Sequence, residues 1–271
     1  MTVLLHISDT HFGTEEPGVA RALQAMAREQ RPDGLVLSGD ITQRARSAQF
    51  AAARAFCDSL AIAHVLTLPG NHDIPLYNLA ARLFSPYARY MQAFGRELEP
   101  EMEVGEVLVI GVNTTRPARH KDGEVSARQI DRVVERLHRA RREQLRVVVT
   151  HQPACVLRPE DEENRLHGGE VAVQAWSRAG ADLVLGGHIH LPYVSDLCAH
   201  AVRVPRPLYC VQAGTALSNR VRHGSPNSVN MIRWRAPAAG ERRLVRVERW
   251  DYDLADRRFE PTHCHDLKLG E

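Results

Sequence analysis

The chain has 271 residues, 44% of them hydrophobic and 25% charged, and a formal net charge of +2. That profile is globular, makes no case for a nucleic-acid-binding protein, and contains no apolar run near the ~18 residues of a membrane helix. Cys57, Cys155, Cys198, Cys210 and Cys264 are odd in number and scattered, without a CxxC pair, so they read as reduced structural thiols.

The first residues, "MTVLLHISD", lack a basic region leading into a signal-like stretch and read as a first strand, so a cytoplasmic location is expected. A helical pattern follows from Val19 to Gln30, then the strand-like "GLVLSG", a helix from Ser47 to Leu60, and the strand-like "HVLTLP". A helix is predicted over Asn78 to Phe94. Its Tyr77, Phe84 and Tyr87 fit a core stripe at helical spacing, or the wall of a base or acyl pocket. Next come "VLVIGVN" and a helix from Ser126 to Arg142, which opens with the capping-box pair Ser126 and Gln129. Of the 35 Lys and Arg residues only Lys121 and Lys268 are lysine, and the arginines of this helix alternate with acids on a solvated face.

The strand-like "LRVVVT" leads into the long polar stretch 158–170, which is either a lid or a flexible excursion. A helix over Glu170 to Ala179 and the strand-like "DLVLGG" continue the alternation, which argues for an α/β fold with helix-covered sheets. Beyond Ile189 the pattern turns β-rich through "PLYCVQAG", "SVNMIRWRA" and "RLVRVERWDYDL". No Gly/Ser-rich linker marks the join, so residues 1–271 are expected to form one domain with a second sheet. The loop 213–230 holds Arg220, Arg222 and His223. It is either a solvated hairpin loop or a return over the ligand site that contacts phosphate.

Five strand exits carry Asp, His or Asn: "SDTHFG" with Asp9 and His11, "SGDIT" with Asp40, "LPGNHD" with Asn71, His72 and Asp73, "VTHQP" with His151, and "GGHIH" with His188 and His190. Loops leaving one edge of an open α/β sheet converge on a crevice. Residues two apart at a strand end point to the same side, so Asp9 with His11, and His188 with His190, can clasp one object. Carboxylate and imidazole without thiolate suit Mn²⁺, Fe²⁺, Zn²⁺, Ni²⁺ or Co²⁺ rather than Ca²⁺. Even without His72 and Asp73, two aspartates, one asparagine and four histidines exceed one tetrahedral ion and suit two ions ~3.5–4 Å apart. The remaining histidines lack such context, and His6 is expected to be packed inside the first strand.

The ordered set DTH (9–11), GD (39–40), GNHD (70–73), His151 and GHIH (187–190) resembles the calcineurin-like metallophosphoesterases, with the closest likeness to bacterial class III cyclic-nucleotide phosphodiesterases. The resemblance implies a four-layered αββα sandwich of two mixed sheets. It implies that Asp9, His11 and His190 hold one metal, that Asn71, His151 and His188 hold the second, and that Asp40 bridges them. Mn²⁺ or Fe²⁺ leads the candidate metals. His72 would stay off the metals and face the substrate, with Asp73 as its orienting partner. Many relatives carry an acid three residues after the bridging aspartate, where this chain has Gln43.

Two divalent cations, two aspartates and a bridging hydroxide would leave the core at roughly +1, suited to attracting a phosphoester and to in-line attack. His72 would protonate the leaving oxygen. The expected enzyme is a phosphodiesterase on small-molecule diesters, cyclic nucleotides among them. The alternatives are a phosphomonoesterase, a nucleotide pyrophosphatase or a phospholipid-headgroup phosphoesterase, and a non-catalytic interaction module that has kept the fold.

Overall fold

The structure, a computed structural model, describes residues 1–199, 204–222, 224–238 and 240–270. His223 of the late loop lies outside these described residues. The first half runs β1 (Thr2–Ile7), α1 (Pro17–Gln30), β2 (Gly34–Leu37), α2 (Ser47–Ser59), β3 (His64–Thr67), α3 (Leu79–Phe84), α4 (Ala88–Phe94), β4 (Glu101–Val104) and β5 (Val107–Gly111). The second half runs α5 (Ala127–His138), β6 (Leu145–Val149), α6 (Gly169–Ala179), β7 (Leu183–Gly186), β8 (Tyr193–Asp196), β9 (Tyr209–Gln212), β10 (Ser228–Trp234), β11 (Leu244–Asp253) and β12 (Arg258–Lys268).

Two mixed six-stranded sheets result, in the orders β12-β11-β10-β1-β2-β3 and β4-β5-β6-β7-β9-β8. The inner strands β1, β2, β5 and β7 are buried along their whole length because both of their faces are covered, whereas β4, β11 and β12 alternate or expose polar residues. In β1, Val3, Leu5 and Ile7 pack outward on the α1 and α2 side, while Leu4 points between the sheets. In β6 and β7, Val148 and Val184 face the α5 and α6 side, while Val147, Val149, Leu183 and Leu185 fill the space between the sheets. The expected αββα sandwich follows from this period of two.

Three expectations change in detail. The helix over 78–94 is two helices, because Pro86 has no N–H to donate and disfavours helical backbone at Ser85. Tyr77 and Phe84 are exposed rather than core, and the Tyr87 hydroxyl bonds to Thr115. The late strands build no sheet of their own. β8 and β9 extend the second sheet, while β10 pairs antiparallel with β1 and brings β11 and β12 onto the first.

The capping box at Ser126 forms as expected. His6 is packed, with Nε2 2.9 Å from Ser38 Oγ and Nδ1 3.3 Å from Asn230 Nδ2. At the amino end of β7, buried Asp182 holds the Arg243 guanidinium through two bonds of 2.7 and 2.8 Å. No helix among the described residues is long and apolar enough to cross a membrane.

Candidate metal centre

The parallel strands β1, β2, β3, β6 and β7 deliver Asp9 and His11, Asp40, Asn71 to Asp73, His151, and His188 and His190 to one place, where the carboxyl edges of the two sheets meet. The side chains do not converge through strand alternation, as the i, i+2 spacing suggested. Asp9, His11, Asp40, His188 and His190 all adopt left-handed backbone, with φ of 53°, 42°, 48°, 73° and 54°. Each such non-glycine residue stores ~1 kcal/mol or more of strain, which persists only where surrounding bonds enforce it. Those bonds are present: Asp9 N donates to Gly39 O and His11 N to Asp40 O, both at 3.0 Å, and Thr215 Oγ1 donates to Asp9 O at 2.6 Å. Gly70 lets the third exit press against Asp40, since a Cβ there would collide with the Asp40 amide nitrogen and Oδ1.

Asp9 Oδ1 lies 3.3 Å from His190 Nε2, which in turn lies 3.1 Å from His11 Nε2. His151 Nε2 lies 3.2 Å from Asn71 Oδ1 and 3.3 Å from Asp40 Oδ1. The other Asp40 oxygen, Oδ2, faces His11 Nε2 at 3.8 Å. One carboxylate thus spans both clusters. Among the described residues, every group of His, Cys, Asp or Glu donors close enough to share an ion lies here: Asp9–His11–His190, His11–Asp40–His72 and Asp40–His151–His188.

The donor set fits divalent cations. His188 Nδ1 is buried without a hydrogen-bond partner, an orphaned lone pair of the kind a metal satisfies. Burial pushes His11 and His188 down to about 3, so both are neutral imidazoles with a lone pair to give. Burial also works against charge on His151, but the Asp40 and Asp9 carboxylates and the Ser38 carbonyl together outweigh it and lift this histidine to about 9. Asp9 and Asp40 stay ionised although burial opposes it, because the histidines around them hold both below the usual carboxylate range. Outer partners fix the rings: His151 Nδ1 lies 2.9 Å from Ser38 O, and His190 Nδ1 lies 2.6 Å from Arg220 O.

His72 sits at the rim, its amide donating to Asp40 Oδ1 at 2.8 Å and its Nδ1 3.0 Å from Gln43 O. Asp73 is not its orienting partner. That carboxylate is turned into the protein, where it accepts from Ile41 N, Thr42 N, Thr42 Oγ1 and Gly70 N. The late loop does return over the site. Arg220 Nη1 lies 3.3 Å from both His72 Nε2 and His11 Nδ1 and donates to Gln43 Oε1 at 3.1 Å, so none of these partners is a carboxylate.

A cleft of about 280 Å³ opens above the clusters, walled by Arg220, Arg222, His120, Lys121, Asp161 and Asn164. Arg222 Nη1 donates to both Asp161 carboxylate oxygens, at 2.9 and 3.0 Å, and so pins the 158–170 stretch as a wall. Sequence reasoning missed His120, Lys121, Asp161 and Asn164. The available signal was position, since His120 and Lys121 lie on the loop leaving β5, the neighbour of β6 and parallel to it.

No curated protein matches the sequence. Among solved structures, a dimetal phosphatase from Danio rerio has a TM-score of 0.68 at 12% identity, with 99% of each chain covered. The purple acid phosphatase PPD1 from yellow lupin (Lupinus luteus) seeds gives 0.65 at 12% identity, covering 97% of this chain and 53% of the lupin chain. Zinc-complexed Vps29 from Entamoeba histolytica gives 0.50 at 11% identity, with 99% and 100% covered. At such identities the likeness is one of fold. The pattern of the calcineurin-like phosphoesterases matches residues 2–192, more than half of the chain, and with the donor clusters it suggests a dinuclear divalent metal site. The chain belongs to the calcineurin-like phosphoesterase family.

Proposed function

We propose that residues 1–271 form a single-domain, metal-dependent phosphodiesterase acting on small diesters, with cyclic nucleotides in the candidate class. The observation that carries this reading is Asp40, whose Oδ1 faces His151 and whose Oδ2 faces His11, the placement a bridging carboxylate needs. Asp9, His11 and His190 would hold one ion and Asn71, His151 and His188 the other. Two divalent cations there, Mn²⁺ or Fe²⁺ by donor type, would supply charge neutralisation and an activated water.

The chain's own residues then divide the remaining work. Arg220 offers a guanidinium at the cleft floor and holds a non-bridging phosphoryl oxygen. The Gln43 carbonyl accepts from His72 Nδ1 and fixes the ring; Nε2 faces Arg220 Nη1 at the rim, and once Arg220 turns to the phosphoryl oxygen the protonated ring gives its Nε2 proton to the departing oxygen. Gln43 also matters through its side chain. A neutral amide beside Arg220 leaves the guanidinium charge available to substrate, where the acid common in relatives would neutralise it. Arg222 and Lys121, each paired to a carboxylate, serve as walls rather than anion binders.

A monoesterase reading draws support from the lupin and Danio rerio proteins, both phosphatases. The two readings separate on bis-p-nitrophenyl phosphate, p-nitrophenyl phosphate, cyclic AMP and a glycerophosphodiester, each assayed with Mn²⁺. A diesterase hydrolyses the diesters faster, loses activity to chelator and regains it with Mn²⁺. Full activity after exhaustive chelation, with no metal detected, would refute the dinuclear reading.

A further inference from the structure

Helix α3 is inside out. Its Leu79 and Leu83, one turn apart, are 68% and 75% exposed, and Phe84 and the preceding Tyr77 are 87% and 79% exposed. No residue of α3 is buried. The charged side chain is the one turned toward the protein: Arg82 donates to Pro117 O at 2.7 Å and Arg119 O at 2.9 Å, and so clamps the helix through backbone carbonyls. Asn78 caps the first turn by accepting from Ala81 N at 2.9 Å. A short helix fixed by a cation beneath and showing four large apolar side chains to solvent is built to present them.

The segment that carries the patch is basic. Residues 74–96 contain Arg82, Arg89 and Arg96 and no acid. Arg44 lies over the Tyr77 ring at 5.4 Å, with Nη1 3.4 Å from its hydroxyl. The patch also adjoins the metal cleft, because Arg44 and Leu76 share a small hollow with Asn71, His72 and His120.

We propose that the Tyr77–Phe84 patch is a docking surface for an anionic lipid surface, with the apolar side chains entering the headgroup boundary and exposed Arg44 at its edge meeting lipid phosphates. Exposed apolar residues on a segment that holds three arginines and no acid, with Arg44 stacked on Tyr77, match such a surface on both counts, whereas a protein partner would need a complementary apolar face. With the patch seated, the metal cleft beside it faces phosphoester headgroups. That orientation, unlike the docking itself, rests on the phosphodiesterase reading, and it points to a substrate class of phosphoesters carried at a lipid surface.

The test is co-sedimentation of the full chain with vesicles of phosphatidylcholine alone and of phosphatidylcholine mixed with phosphatidylglycerol, at low and high salt. The wild type should sediment with the mixed vesicles and be released by salt. The Leu83→Ser, Phe84→Ser double variant should lose at least about tenfold in partitioning, since each exposed side chain of this size contributes on that scale when buried. Its hydrolysis of soluble bis-p-nitrophenyl phosphate should be unchanged, which also shows that it is folded. Equal sedimentation of wild type and variant would overturn the proposal. So would a wild type that ignores both vesicles and forms a dimer that the double variant abolishes, since the patch would then be covered by a second copy. Vesicle binding without any diester hydrolysis would refute the catalytic reading and leave the docking surface standing.

Discussion

Asp73 separates two accounts of the same motif. If it orients His72, removing it should slow proton donation and little else. The structure gives it different work. It is buried and accepts four hydrogen bonds, from Ile41 N at 3.0 Å and from Thr42 N, Thr42 Oγ1 and Gly70 N at 2.8 Å. Those donors belong to the loops carrying Asp40 and Asn71, so one carboxylate pins the second strand exit to the third. Asp73→Ala leaves three backbone N–H groups and a hydroxyl without their acceptor, each unmade bond costing ~1–3 kcal/mol. The hydroxyl can rotate and water can enter the space left, which brings the expected loss to about 3–5 kcal/mol.

Urea unfolding measures this directly, as a fall in midpoint at unchanged slope. Metal content of the folded variant should fall with it, because the loops bearing Asp40 and Asn71 lose their shared anchor. Activity should drop to similar degrees on p-nitrophenyl and alkyl diesters. A variant within ~1 kcal/mol of wild type that keeps its metals and is slowed only on alkyl diesters would refute the brace and restore Asp73 as the partner of His72.

His72→Ala should retain metal, lose little on bis-p-nitrophenyl phosphate and lose up to ~10²–10⁴-fold on an alkyl diester. The ratio of kcat/KM on the two substrates is the measurement, and an equal loss on both would end the proton-donor role. Gln43→Glu should pair Arg220 with a carboxylate and reduce kcat/KM on diesters roughly tenfold through KM, the scale of one charge-assisted hydrogen bond. Unchanged KM would mean that Arg220 does not hold phosphate. Asp182→Ala should cost about 3–5 kcal/mol in urea unfolding, because it leaves the Arg243 guanidinium buried and unpaired. Metal content should not change, since β7 separates Asp182 from His188.

What the sequence made legible is what short-range pattern encodes. Alternation inside "VLLHI" sends Leu4 and Leu5 to opposite faces, and the structure buries both because helices cover one face and a second sheet the other. The clustered side chains were visible because each stands within a few residues of a strand end. Pro86 stood inside the single helix expected over 78–94, and its missing N–H and its restriction of Ser85 were the signal for the break that this expectation passed over.

Choice of partner was not legible. Nothing near residue 230 says that β10 will lie antiparallel to β1 and split the late strands between two sheets. Asp73 adjoins His72 in the chain yet bonds to residues about thirty positions earlier. Periodicity places Leu79 and Leu83 on one face of a helix without saying which way that face looks, and here it looks outward, because Arg82 found carbonyls beneath. The i, i+2 spacing of Asp9 and His11 suggested strand alternation as the cause of their convergence, whereas the cause is left-handed backbone at both residues. Such strain holds only where neighbouring strands supply the bonds that enforce it. Asp9 leans on Gly39 of the second exit and Thr215 of the late loop, so the geometry of the centre belongs to the assembled edge of both sheets rather than to any one motif.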